Sequence, residues 1–194
     1  MAKTVKYTGT GAILVSKPKY IVATIGAGTE NEKSFIFEHV LKDSTKFSQD
    51  DNTTNTIDNE VSDDPIKTNV TLGSYQFEAT IEDIQEDLLI DLCGFTRAEK
   101  SGVVYAPASY VEKNAKIAVV LDKGDGSGDL VAYVAPKVQL NSKLILESLS
   151  TSMAGFSLAG TAKNASVTVG SASQTDNINT PLYIDYAYTL PVAG

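Results

Sequence analysis

The chain carries few of the side chains that do nucleophilic, redox or metal chemistry. His39 is its one histidine, Cys93 its one cysteine and Arg97 its one arginine. A lone imidazole excludes His-cluster metal sites, and a Ser-His-Asp arrangement would have to run through His39. The surrounding Phe35-Ile-Phe-Glu-His-Val-Leu41 offers no nucleophile elbow and no oxyanion signature. A single cysteine forms no internal disulfide, and Cys93 falls near the end of an apolar stripe, where a small core residue belongs. Asp122-Lys-Gly-Asp-Gly-Ser-Gly-Asp129 superficially resembles a calcium loop. Its third and fifth positions are Gly124 and Gly126, however, and its twelfth is Tyr133 rather than glutamate, so it reads as a hairpin turn. Gly9-Thr-Gly11 and Gly26-Ala-Gly28 complete neither a dinucleotide nor a P-loop pattern. Carboxylates are so numerous that pairing any two of them identifies no general acid or base. The residues therefore read as those of a protein that is not an enzyme, with no catalytic residue, no cofactor and no metal.

Charge is the stronger signal. The 194 residues hold 16 basic and 24 acidic side chains, a net charge of −8. An acidic chain with one arginine is poorly equipped to hold phosphates, which need a basic stripe. The charge is also uneven. Residues 43–64 carry Asp43, Asp50, Asp51, Asp58, Glu60, Asp63 and Asp64 against Lys46, a local net of −6. Residues 80–95 carry Glu82, Asp83, Glu86, Asp87 and Asp91 with no base, a local net of −5, which leaves the remainder at +3. Two acidic blocks on a mildly basic remainder read either as solvated loops or as faces with different partners.

The apolar pattern gives the elements that must position these groups. A hydrophobic content of 42% is globular, and the length suits one domain. No run of 18 apolar residues exists and Met1–Gly11 lacks an apolar signal segment, so the expectation is a soluble chain made in a reducing cytoplasm. Ile81, Ile84, Leu88, Leu89, Leu92 and Phe95 follow a 3.6-residue stripe and predict one helix over about residues 80–95. Thr80 would be its N-cap, Asp83 would complete a capping box and Gly94 would stop it. Its other face would present Glu86, Asp87 and Asp91 outward. The rest reads as strands: 12–16, 20–25, 35–41, 69–79, a hairpin from 116–121 and 130–134, then 138–149, 156–162, 166–170 and 182–190. Residues 42–68 form a long polar excursion, read as a projecting arm. Tyr183, Tyr186 and Tyr188 make the best local aromatic cluster.

The order of these elements resembles a known family. A β-pair precedes the arm Thr54-Asn-Thr-Ile-Asp-Asn-Glu-Val-Ser-Asp-Asp-Pro-Ile66. A strand then leads to a helix ending Leu88-Leu-Ile-Asp-Leu-Cys-Gly-Phe95. Tyr133-Val-Ala-Pro-Lys-Val-Gln-Leu140 and Gly155-Phe-Ser-Leu-Ala-Gly-Thr-Ala162 follow. Over roughly residues 12–165 this is similar to the major tail tube proteins of tailed bacteriophages.

That resemblance implies a mainly β fold, a β-sandwich or half-barrel with one flanking α-helix and a long projecting arm. It implies a tail-tube-like domain over 1–165, with the arm at 42–68 and the helix at 80–95; residues 166–194 would be a C-terminal β extension of the same domain. It also implies a structural subunit that assembles into hexameric rings. Stacked rings would form the hollow tail tube of a virion, enclosing a tape-measure protein, joining other tail proteins and later passing genomic DNA without binding it specifically. No membrane is involved. By their place in the pattern, Ile57, Glu60, Val61, Asp63, Asp64, Pro65 and Ile66 of the arm would contact a neighbouring subunit or ring. Ring closure would pair sheet edges that otherwise expose unsatisfied backbone groups. The alternative is a β-sandwich binding module, an adhesin or phage receptor-binding domain, whose mark would be an exposed aromatic patch at Tyr183–Tyr188.

Overall fold

The computed structural model describes residues 18–59, 62–82, 84–109, 111–123, 127–145, 155–171 and 174–191. The first strands are β1 (Tyr20–Ile25), β2 (Lys33–Phe37), β3 (Lys46–Gln49), β4 (Thr53–Asn59), β5 (Ser62–Thr71) and β6 (Tyr75–Ile81). The single helix of the described residues, α1 (Glu86–Cys93), follows, then β7 (Thr96–Arg97), β8 (Val104–Tyr105), β9 (Lys113–Asp122) and β10 (Leu130–Leu140). The chain continues through β11 (Lys143–Ile145), β12 (Gly155–Ala162), β13 (Ala165–Ser171), β14 (Gln174–Thr180) and β15 (Tyr183–Asp185). The protein is mainly β with one flanking helix. The expected strand at 12–16 lies outside the described residues.

Nine strands form one sheet in the order β2-β1-β9-β10-β12-β6-β3, with β11 beside β12 and β15 beside β10. All their pairings are antiparallel. The other six strands are three separate two-stranded ribbons, β4–β5, β7–β8 and β13–β14.

The central strands are apolar on both faces. In β1, Ile21 through Thr24 are all buried, as are Ile117 through Leu121 of β9. This is the pattern of strands covered on two sides. Ile21, Ala23, Ile117 and Val119 join Phe77, Ile81, Phe156 and Leu158 in the main core, which α1 enters through Leu88 and Leu92. The opposite face presents Val22, Ala118, Val120, Ala132 and Val134 to Tyr183, Tyr188 and Leu190, so the C-terminal segment seals a second, smaller core. Each cluster is non-directional apolar burial worth roughly 1.5–3 kcal/mol per large side chain.

The segment after β2 turns back onto the end of β6. Val40, just beyond β2, bridges Ile81 at the end of β6. Leu41 N–H donates to the Thr80 carbonyl at 2.9 Å, and Glu82 N–H to the His39 carbonyl at 3.1 Å. These contacts tie the segment after β2 to the end of β6. The outer strands β2 and β3 nevertheless have one strand partner each among the described residues, as do the ribbon strands, so edges of the kind expected to pair with neighbouring copies remain.

Three further expectations change. The helix starts at Glu86, not near residue 80, because Thr80 and Ile81 pair with Ser157 and Phe156 and bury Ile81 completely. Sheet pairing there outweighs a helical spacing that a strand end also satisfies. The N-cap is Gln85, with no side-chain capping bond; Asp83 lies outside the described residues, while Gly94 does close the helix in the left-handed conformation, φ 75°. The strand expected at 69–79 is broken between Thr71 and Tyr75. The strand expected at 138–149 is the end of β10 plus β11, which keep one register on β12; residues 146–149 lie outside the described residues.

Candidate assembly interface

The excursion at 42–68 is neither slack nor wholly outside the sheet. Its first part, β3, lies against β6 with Lys46 opposite Glu78 and Gln49 opposite Tyr75. The same register continues outward: Asp50 N–H donates to the Ser74 carbonyl at 2.9 Å, and Thr53 stands opposite Thr71 through to Ile57 opposite Lys67. Residues 46–57 and 67–78 are therefore one long ribbon, rooted in the sheet and projecting beyond it.

The root is fixed by packing and polar contacts. Phe47 and Phe77 lie with ring centroids 5.0 Å apart. Lys46 Nζ is 3.1 Å from Glu78. Gln76 Nε2 donates to Asp50 at 2.9 Å, and Thr161 Oγ1 donates to Gln76 Oε1 at 2.9 Å. The ribbon bends at Gly73, whose N–H donates to Asn52 Oδ1 at 3.0 Å. A Cβ at Gly73 would fall 1.8 Å from the Asp50 carbonyl oxygen, so only glycine lets the two strands approach this closely.

Beyond the bend the ribbon has two strands and, among the described residues, no third partner. Among those residues neither outer edge has a β partner, and a lone hairpin is marginal in water. Val70 near the end of β5 and Leu72 just beyond it are each 63% exposed. Of the expected contact residues, Ile57 sits in β4 and Asp63, Asp64, Pro65 and Ile66 sit in β5. Glu60 and Val61 lie outside the described residues. Sequence reasoning did not single out Val70 and Leu72 as contacts, because it placed them within one continuous strand over 69–79.

A cleft of mixed lining lies at the other end of the sheet. Cys93, Phe95, Pro107, Val111 and Leu144, with Ser109, Asn141, Ser142 and Lys143, line about 430 Å³ there, over the buried Leu92. Burial pushes the Cys93 thiol up to about 11, so it stays protonated as a small core-edge group. Val103 and Tyr105 of the neighbouring β7–β8 ribbon are also exposed.

The helix face differs from its expected free acidity. Lys33 Nζ reaches Asp91 at 2.8 Å and Asp87 at 3.2 Å, over the Phe35 ring, and Arg97 pairs with Glu86. The bond to Asp91 is the main reason the Lys33 ammonium titrates above its ordinary range. These three carboxylates thus tie α1 to β2 and to the following ribbon. The tyrosine cluster is also divided: Tyr183 and Tyr188 pack on the smaller core, while Tyr186 is exposed. Burial pushes the Tyr188 phenol up to about 12. His39 is exposed and contributes its carbonyl to the sheet seam.

Among the described residues no group of three or more His, Cys, Asp and Glu side chains is placed to hold a metal ion, and no helix is long and apolar enough to cross a membrane. No protein-family model matches the chain, and no curated protein matches it.

Proposed function

We propose that this protein is a structural subunit that self-assembles into hexameric rings stacked as the hollow tail tube of a bacteriophage virion. The observation that carries the reading is the ribbon over residues 46–78, anchored in the sheet at its root and, among the described residues, unpartnered with exposed Val70 and Leu72 beyond it. A chain gains nothing by itself from a rigidly rooted, apolar-faced ribbon with two open edges; a neighbouring copy that covers it satisfies both liabilities. The ring number and the tape-measure and genome partners rest on the resemblance to tail tube proteins. A net charge of −8 with one arginine supports a conduit that repels a passing polyanion rather than holding it.

The reading as a receptor-binding module is the weaker one, because Tyr186 is the only ring of the Tyr183–Tyr188 cluster turned to solvent. Electron microscopy and sedimentation velocity of the concentrated full-length protein test the proposal. Hollow tubes or six-fold rings are expected. A protein that remains monomeric across the concentration range, or one that binds glycans as a monomer, refutes it.

A further inference from the structure

We infer that copies of this chain join head to tail, with Val70 and Leu72 at the arm base of one copy seated in the cleft beside α1 of the next. The inference rests on the self-assembly reading and specifies one of its contacts.

The two surfaces lie at opposite ends of the same sheet. β6 begins at Tyr75, where the ribbon joins it, and ends at Ile81, which leads to α1. β12 repeats this polarity: Ala162 stands opposite Tyr75, while Gly155 stands opposite Ile145 next to the cleft residue Leu144. The seven residues of β6 span about 20 Å at the usual strand rise. No single chain brings its own arm base to its own cleft.

The surfaces also match in chemistry. The arm base offers a branched apolar pair, each member 63% exposed, and the cleft of about 430 Å³ offers Phe95, Pro107, Val111 and Leu144 among the polar Ser109, Asn141 and Ser142. Asp51, exposed at the bend, carries negative charge beside the pair, and Lys143, exposed at the cleft, carries positive charge. Opposite charges at the rim of an apolar contact set orientation and favour encounter. Because each copy has one knob and one socket on different surfaces, the contact is heterologous, which closes a ring or propagates along an axis according to its rotation. With knob and socket at opposite ends of one sheet, the contact is assigned to stacking.

Two lesions on different ends test this. In Val70→Ser/Leu72→Ser the socket is intact; in Val111→Glu the knob is intact. Both sites are solvent-exposed in the single chain, and circular dichroism verifies folding; Val111→Ser supplies a milder socket lesion if the glutamate perturbs the loop. Each variant alone should require about a hundredfold more protein, or greater, to form stacked species. A mixture of the two restores one junction only, so it should yield paired units of twice the unstacked mass and nothing longer. Normal stacking by either folded lesion, or a mixture without pairs, overturns the junction and leaves self-assembly standing. A wild-type protein that never associates overturns both.

Discussion

Replacing Gly73 by alanine probes the bend that carries the arm. Its φ is not in the left-handed region, so the need for glycine is one of space. The added methyl would stand 1.8 Å from the Asp50 oxygen, 2.5 Å from the Asp50 carbonyl carbon and 2.9 Å from the Asp51 oxygen. All three are backbone atoms, so no side chain can swing aside. Forcing a methyl into such a contact costs about 1–3 kcal/mol. Separating the strands also gives up the Gly73–Asn52 and Asp50–Ser74 hydrogen bonds, at about 1 kcal/mol each. The ribbon root is held by Phe47 against Phe77 and by sheet pairing, so the cheapest relief is to open the bend and the arm. A cost of about 3 kcal/mol or more exceeds what holds a lone hairpin, so arm amides should lose all the protection that the parent's arm has. Hydrogen–deuterium exchange reads this directly, with β9 and β10 as the unchanged internal reference. Arm protection in Gly73→Ala equal to that of the parent would refute the account of the bend.

Other perturbations separate arm, helix and C-terminal segment. Replacing Thr53–Thr71 with a short Gly-Ser link should leave a folded monomer that no longer polymerises, because among the described residues β4 and β5 pair only with each other; sedimentation showing assembly of this variant would remove the arm from the mechanism. Leu88→Asp places a charge at a position 3% exposed, so it should cost more than about 3 kcal/mol and lower the melting temperature by about 6 °C or more. An unchanged melt would contradict the docking of α1. The Tyr188 phenol is raised in the folded state, so its contribution to stability is complete below the ordinary tyrosine range of about 10 and is lost as pH rises towards about 12. Tyr188→Phe should flatten that alkaline loss in denaturant titrations; an identical loss in the variant assigns it elsewhere.

The parts of the fold legible in the sequence are those whose pattern is set by burial. β1 and the β9–β10 hairpin carry apolar runs that only a sheet interior explains, and the structure places strands at Tyr20–Ile25, Lys113–Asp122 and Leu130–Leu140. The helix was legible in its second half, where Leu88 and Leu92 face the core and Gly94 ends it. Its first half was not, because Ile81 answers equally to a helical stripe and to strand alternation, and only the pairing with Phe156 decides. β14 was invisible: Gln174-Thr-Asp-Asn-Ile-Asn-Thr180 has no apolar alternation, since a solvated ribbon needs only one good partner strand. The arm was legible as an excursion, but its unbroken register with β3 and β6 was not, because register depends on which strands meet. The cleft beside α1 joins residues from 92 to 144, a separation that no local spacing encodes.

The β13–β14 ribbon occupies an unusual place. β12 leaves β10 after Val138, and β15 returns to the same flank of β10 at Val134, so the intervening hairpin is a detour within one row of the sheet. Its two strands keep a single register from Ala165–Thr180 to Ser171–Gln174. A detour of this kind is a natural grafting point. A peptide tag or small cargo domain spliced into its turn would be carried outward on its own stalk, and a polymer of such fusions would display the cargo once per protomer along its length.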